Sequence, residues 1–211
     1  MIEVLRQARE GRLDLNRRIR LEDDQRTESC GALAYLDGGL EPTIRDLYVL
    51  MIILSDNTAT NILIDLVTMD SVNQTMRELG YRNIVLERKM MDLEALEAGL
   101  NNYVSPDEIG DILEKIYLGQ LIDPDLSAEM VRVLKLQQVN YKLPYLIDDD
   151  VEIAHKTGEN RGVSHDVGIV YSRRPFIFGF YSNNVNVIEA EEALRNIAYV
   201  LYVRSLEKDL S

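Results

Sequence analysis

Apolar positions recur at helical spacing along the first two thirds of the chain, then give way to short runs of β-branched and aromatic residues. Met1, Leu5 and Ala8 share one helical face and Gly11 comes next as a stop, which predicts an opening helix. The run PTIRDLYVLMIILS predicts a strongly apolar helix from Pro42, with Thr43 near its start, and Thr58–Thr68 predicts another. DSVNQTMRELG offers Asp70 or Ser71 as N-cap and Gly80 as terminator. SPDEIGDILEKIYLG carries a full set of helix signals: Ser105 at the N-cap, Pro106 first in the helix, Glu108 to close a capping box and Gly119 at the end. Residues 125–137 predict one more helix, and DLEALEAG a short one.

After Asp148-Asp149-Asp150 the period changes. VEIAHKTG, GVSHDVGIVYS and PFIFGFYSNN are rich in Val, Ile, Phe and Tyr and are separated by Gly, Asn, Arg and Pro, as in a three-stranded antiparallel meander. A last helix over Val187–Leu206 comes after them, with Ile188, Ala190, Leu194, Ile197 and Leu201 as its apolar stripe. The expected fold class is α+β: a multi-helical lobe over residues 1–150, then a β-β-β-α part over 151–211, an antiparallel sheet with a flanking helix.

Composition narrows the function. The chain has 211 residues, 46% of them hydrophobic, enough for one globular unit or two small lobes with a shared core. No apolar run is long enough to span a bilayer. MIEVLRQARE carries Glu3, Arg6, Arg9 and Glu10, so no signal-peptide h-region is visible, and the chain translated as given is expected in the cytoplasm. A net charge of −13 argues against nucleic acid or an anionic membrane as partner. The lone Cys30 excludes an internal disulfide, and with only His155 and His165 beside it neither a zinc site nor any other cofactor is expected.

Two short stretches carry candidate chemistry. LSDNTATNILIDLV places Ser55, Asp56 and Asn57 just after the apolar run Leu47–Leu54, where the helix pattern suggests core. HKTGEN, His155–Asn160, puts Lys-Thr-Gly late on a predicted strand. Taken alone, the first reads as a helix junction with a capping Ser or Asp, and the second as a hairpin entry. Together, in this order and roughly a hundred residues apart, they resemble the class A β-lactamases and their penicillin-binding relatives. The resemblance spans Met1–Leu21, Leu40–Leu66, Leu86–Leu118 and His155 to the C-terminus.

That resemblance implies a role for each motif residue. Ser55 relays a proton toward the leaving β-lactam nitrogen and hydrogen-bonds Lys156. Asn57 binds the substrate acylamide, and Asp56 points inward to hold its loop through backbone N–H groups. Lys156 and Thr157 take the substrate carboxylate, Gly158 leaves room for close approach, and the backbone N–H of Glu159 donates to the oxyanion. By the same resemblance the ligand is a β-lactam or a peptidoglycan-like peptide, the associated biology antibiotic resistance, and the family's usual place extracytoplasmic. Glu97 in EAGLN matches the Glu-x-x-Leu-Asn of the deacylating base. A helix starting at Pro106 leaves little loop after it, however, so an exposed Glu97, with Asp92 or Glu94 in the cleft, is the competing reading.

The family's nucleophile lies in Ser-x-x-Lys, ahead of Ser-Asp-Asn. The opening residues resemble the end of that nucleophile helix, so the expectation is an N-terminally truncated, inactive chain without the first strands of the family sheet. A helix starting at Met1 without a capping side chain agrees. Ser205-Leu206-Glu207-Lys208 lies on the wrong side of both motifs and reads as a charged helix end. His165-Asp166 reads as part of a turn-like stretch with a solvated or capping His, not as part of a triad. Loss of neighbouring strands turns Pro175–Asn184 into an edge, which predicts a homodimer joined there. The alternatives are a non-catalytic dimeric remnant that binds a protein or cell-wall peptide, and an enzyme completed by a separate N-terminal piece.

Overall fold

Thr43 opens the helix α2 (Ile44–Ile53) by a reciprocal cap: its hydroxyl accepts the Asp46 N–H at 3.1 Å, and the Asp46 carboxylate accepts the Thr43 N–H at 2.8 Å. Helix α1 (Ile2–Arg9) precedes it and stops at Gly11, whose φ of +73° only glycine adopts easily. Then come α3 (Asn57–Val67), α4 (Met69–Glu78), α5 (Leu93–Glu97) and α6 (Pro106–Tyr117). The structure, a computed structural model, describes residues 1–207, and its contacts divide the chain into two compact units, one over Met1–Ile109 and one from Gly110 on. In the first unit Ile44, Leu47, Tyr48, Ile62 and Leu63 are buried, so α2 and α3 pack through faces of helical period. Glu3 of α1 is buried too. It is satisfied by Gln7 at 2.6 Å, by Arg6 at 2.9 Å and by the Thr75 hydroxyl of α4.

Two expected caps are corrected. Helix α4 is capped by Thr68, whose hydroxyl accepts the Ser71 N–H at 3.2 Å, and not by Asp70 or Ser71. Thr68 ends α3 and starts α4 at once, at φ +68°, a conformation a β-branched residue does not advertise in sequence. In α6 the Ser105 hydroxyl receives the Glu108 N–H at 3.5 Å, yet the box does not close. The Glu108 carboxylate takes the Arg82 and Asn83 N–H groups and the Asn83 side chain, at 3.1, 3.0 and 2.8 Å.

The second unit holds the rest of α6 and α7 (Pro124–Leu134), which is capped by Asp123. Strands β1 (Ile153–Asn160), β2 (Val163–Val170) and β3 (Phe176–Phe180) come next, then α8 (Val187–Leu206). The sheet is antiparallel, in the order β1-β2-β3, with Lys156 opposite Val167 and Gly168 opposite Phe178. Side-chain alternation puts Ile153, His155, Thr157 and Glu159 on the face of Asp166, Val170 and Phe178. That face carries the core, in which Val170 and Phe178 pack with Leu143, Ile147, Leu194, Ala198 and Tyr202.

His165 and Asp166 sit in the middle of β2 and not in a turn; the turn is Arg161-Gly162, with Gly162 at φ +69°. The buried stripe of α8 also differs from expectation. It runs Ala190, Leu194, Ala198, Tyr202, while Ile188, Ile197 and Leu201 are 78%, 47% and 38% exposed. Residues 190, 194, 198 and 202 climb one side of the helix in steps of four; Ile197 and Leu201 flank it, and with Val200 form a second, exposed apolar stripe. Among the described residues no helix is long and apolar enough to cross a membrane.

Candidate functional site

In the first unit the Ser-Asp-Asn segment is the junction of α2 and α3. Ser55 occupies a left-handed turn at φ +51° and is half-buried, as is Asn57. Asp56 is fully buried and caps α3 through the Ala59 N–H at 2.9 Å. Its other carboxylate oxygen accepts the N–H groups of Ala32 and Leu33, at 2.7 and 2.9 Å. Gly31 lies so close to this carboxyl, at φ +99°, that a Cβ would sit 2.3 Å from Asp56 Cγ. Further bonds continue the seam: Asn57 N–H to the Cys30 carbonyl at 3.2 Å, Asn57 Nδ2 to the Glu28 carbonyl at 3.1 Å, and Thr27 N–H to the Thr58 hydroxyl at 2.9 Å. Residues 27–33 are thus laced onto the motif.

Glu97 is the last residue of α5 and is exposed; Glu94 is exposed as well, and Asp92 caps the helix through the Ala95 N–H at 2.9 Å. The segment around them is held by asparagine side chains that imitate strand partners. Asn61 pairs with the Met90 N–H and carbonyl at 2.8 and 3.1 Å, Asn73 with those of Leu86, both at 2.8 Å. Asn102 receives the Glu87 and Arg88 N–H groups at 3.0 and 3.1 Å. Asn101, the last residue of the Glu-x-x-Leu-Asn match, accepts from the Arg88 guanidinium at 3.4 Å.

In the second unit Lys-Thr-Gly lies on β1, an outer strand of the sheet. Lys156 is half-buried, with Nζ 2.6 Å from the Thr157 carbonyl. The Thr157 side chain is on the opposite face, across from Asp166, and is 6% exposed. The direction of the Glu159 backbone is set by its neighbour. Glu159 pairs with Ser164, whose N–H and carbonyl are both engaged by the Ser182 hydroxyl, at 2.9 and 2.8 Å, away from β1. Glu159–Ser164 is therefore a non-hydrogen-bonded pair, and in such a pair both residues turn their own N–H and carbonyl outward. The Glu159 N–H points to the outer edge of β1.

Beneath this strand end lies a polar network, centred on the buried Lys142, that the sequence reading missed. Lys142, with no exposed side-chain surface, contacts the Glu159 carboxylate at 3.0 Å and Glu191 at 3.9 Å. Glu191 also accepts from the Ser164 hydroxyl at 2.9 Å and from Arg195 at 3.1 Å. Tyr141 donates to Glu159, and burial together with that carboxylate pushes the Tyr141 hydroxyl above its ordinary pKa. Burial alone would raise the Glu159 carboxyl, but hydrogen bonds from Tyr141 and Lys142 and the charges of Lys142 and Lys156 hold it below the usual range. Next to this cluster His155 Nδ1 donates to Asp166 at 2.9 Å, both side chains buried, while Asp166 also accepts the Leu143 N–H at 3.0 Å. No spacing rule links residues 142, 159 and 191, so a single sequence gives no warning of the cluster.

His165 accepts the Ser182 N–H on Nδ1 at 3.0 Å, and burial lowers its pKa, with the Lys142 charge adding to the effect. It is a cross-strand ring against Tyr181, 5.3 Å between centroids, with a structural partner for that nitrogen. A cavity of about 310 Å³ opens at the start of β1, with Asn140 and His155 in its wall. Among the described residues no cluster of metal-binding side chains occurs. The Ser205-x-x-Lys208 match ends on Lys208, outside the described residues.

The model of the Beta-lactamase enzyme family matches residues 1–204, and the chain belongs to that family. A solved β-lactamase from Sphaerobacter thermophilus is 30% identical, with a TM-score of 0.88 over 97% of this chain and 79% of its own. The penicillin-binding protein PBP-A is 25% identical, with a TM-score of 0.85 over 96% of this chain and 76% of its own. A β-lactamase from Chitinophaga pinensis, 20% identical with a TM-score of 0.84 over 97% of this chain and 81% of its own, shares the fold. No curated protein matches in sequence.

Proposed function

We propose that this chain docks β-lactams or peptidoglycan-like acyl peptides at the outer edge of β1, where Lys156, Gly158 and Glu159 act on the ligand; by the family resemblance Ser55 and Asn57 are further ligand-binding groups. The observation that carries the reading is the direction of the Glu159 N–H, outward from an edge strand that also bears Lys156. A donor there suits a ligand carbonyl, and an ammonium beside it suits the ligand carboxylate. Asn57 supplies an amide for the acylamide. Thr157, buried on the other face of β1, contributes at the strand edge and is secondary to Lys156. A variant of PBP-A has been solved as an acyl-enzyme complex with penicillin G, which supports the ligand class.

Hydrolysis through an acyl-serine requires a Ser-x-x-Lys nucleophile. The 211 residues contain that pattern once, at Ser205–Lys208. On this reading the chain by itself binds without forming an acyl-enzyme, and Glu97, exposed at the end of α5, does not act as a base in it. Titration with benzylpenicillin tests the docking, and nitrocefin turnover with a fluorescent-penicillin gel tests the chemistry. The expected result is reversible binding with neither turnover nor label. A covalent adduct would contradict the inactive part of the reading, and no binding would contradict the docking part.

A second element is self-association. Strand β3 pairs with β2 on one side only among the described residues, and Ile197, Val200 and Leu201 of α8 form an exposed apolar stripe. A second copy, joined antiparallel along Pro175–Asn184, satisfies the edge of β3 and brings the same edge of its own into register, as a twofold interface requires.

A further inference from the structure

We propose that Lys142 is a positioning residue for the peptide bond between Gly158 and Glu159, holding it so that the Glu159 N–H is presented at the outer edge of β1. The proposal rests on the reading of that edge as the docking strand and assigns it a supporting cation that neither motif contains.

Lys142 Nζ lies 3.2 Å from the Gly158 carbonyl oxygen and 3.4 Å from that of His165, and these two residues face each other in the β1–β2 register. The Gly158 carbonyl and the Glu159 N–H belong to one planar peptide unit and point in opposite directions. A donor on the carbonyl therefore fixes where the N–H points. An ammonium on that oxygen also draws electron density away from the nitrogen, which makes the N–H a stronger donor to a developing oxyanion. The site is built for a fixed cation. The Lys142 side chain has no exposed surface, and Glu159 at 3.0 Å and Glu191 at 3.9 Å balance its charge.

The anchor is itself anchored. Leu143, the next residue, donates its N–H to Asp166 at 3.0 Å, and the preceding Tyr141 carbonyl accepts from Arg195 at 2.7 Å. Residues 141–143 are thus tied to β2 and to α8 on either side of the lysine. Because the two carboxylates offset the ammonium, its influence on a ligand runs through the orientation and polarisation of the peptide and not through direct attraction.

The test is backbone NMR of the full chain as wild type, Lys142→Met and Lys142→Arg. In Lys142→Met the Glu159 amide proton moves upfield, while Ala154 at the far end of the same strand stays put. Lys142→Arg restores the Glu159 signal. An unchanged Glu159 amide, or an equal response at Ala154, overturns the proposal. Should Lys142→Met fail to fold, the wild type decides: measured from the unstructured value of its own residue type, the Gly158 carbonyl carbon lies farther downfield than the Lys156 carbonyl carbon if the ammonium is bound there, and equal deviations count against it. Benzylpenicillin titration of the same samples keeps the two ideas apart. Wild type that does not bind defeats the docking reading, whereas the Glu159 amide response still decides the role of Lys142.

Discussion

The carboxylate of Asp56 accepts the backbone N–H of Ala32 at 2.7 Å, across 24 residues of chain, while capping its own helix at Ala59. One buried side chain thereby shapes the turn that presents Ser55 and Asn57 and fastens a separate loop to it. Asp56→Ala strands the N–H groups of Ala32, Leu33 and Ala59, and is expected to destabilise the chain by roughly 3–5 kcal/mol in urea unfolding. Asp56→Asn keeps an acceptor oxygen and is expected to cost about 1–2 kcal/mol. Equal, small losses for both would mean the carboxylate does not hold the loop.

Gly168 faces His155 across the β1–β2 ladder. A Cβ there would lie 2.5 Å from His155 Cβ and 2.6 Å from the Ala154 carbonyl, and backbone cannot retreat as a flexible side chain can. Gly168→Ala is expected to destabilise the second unit by about 2–3 kcal/mol and to disturb the His155–Asp166 pair. Thermal unfolding with the His155 ring signals followed by NMR checks both.

How much of this was legible in the sequence depends on the range of the interaction. Helix α8 was readable to its ends because a polar N-cap, Asn186, precedes a run of helix formers, and α6 because Ser105 and Pro106 mark its start. The three strands were readable from β-branched runs between turn residues. The face of α8 was not, since Ile197 and Leu201 are as apolar as Leu194, and only the sheet decides which side is covered. Thr68 was missed because a positive φ is imposed by the meeting of two helices. At the candidate site the tripeptides were visible as local words, whereas Lys142, Glu191 and Ser182 act on β1 only through the fold.

Part of each limb of the pH profile traces to a named group. Glu159 has its pKa lowered, so the stability it contributes is full above the ordinary glutamate range and is lost as pH falls through the lowered value. Glu159→Gln should lessen that acid limb, to which Asp46, held low by hydrogen bonds from Thr43, also contributes. Tyr202 donates to Asp148 at 2.7 Å, and that hydrogen bond with burial raises its pKa to about 12. Its contribution is complete below the ordinary tyrosine pKa of about 10 and disappears as pH rises through the folded value. Tyr202→Phe should reduce the alkaline limb, to which Tyr141, Tyr171 and Tyr181, whose pKa values are also raised, contribute as well. Urea midpoints measured from pH 3 to 12 for wild type and both variants check the two signs.

Self-association is tested on the exposed side of α8. Ile197 and Val200 are 47% and 50% exposed, so replacing both with Glu leaves the core intact. Light scattering on a size-exclusion column should find wild type as a dimer and Ile197→Glu/Val200→Glu as a monomer with unchanged helicity. Wild type running as a monomer at micromolar concentration would rule the interface out.

The central claim is that the outer edge of β1 docks a β-lactam with Lys156 on its carboxylate, and the benzylpenicillin affinity of wild type and Lys156→Ala measures it most directly. Wild type is expected to bind, and Lys156→Ala to weaken binding about tenfold or more, or about 1.4 kcal/mol. A wild type that does not bind, or a Lys156→Ala chain that binds as wild type does, would contradict the account.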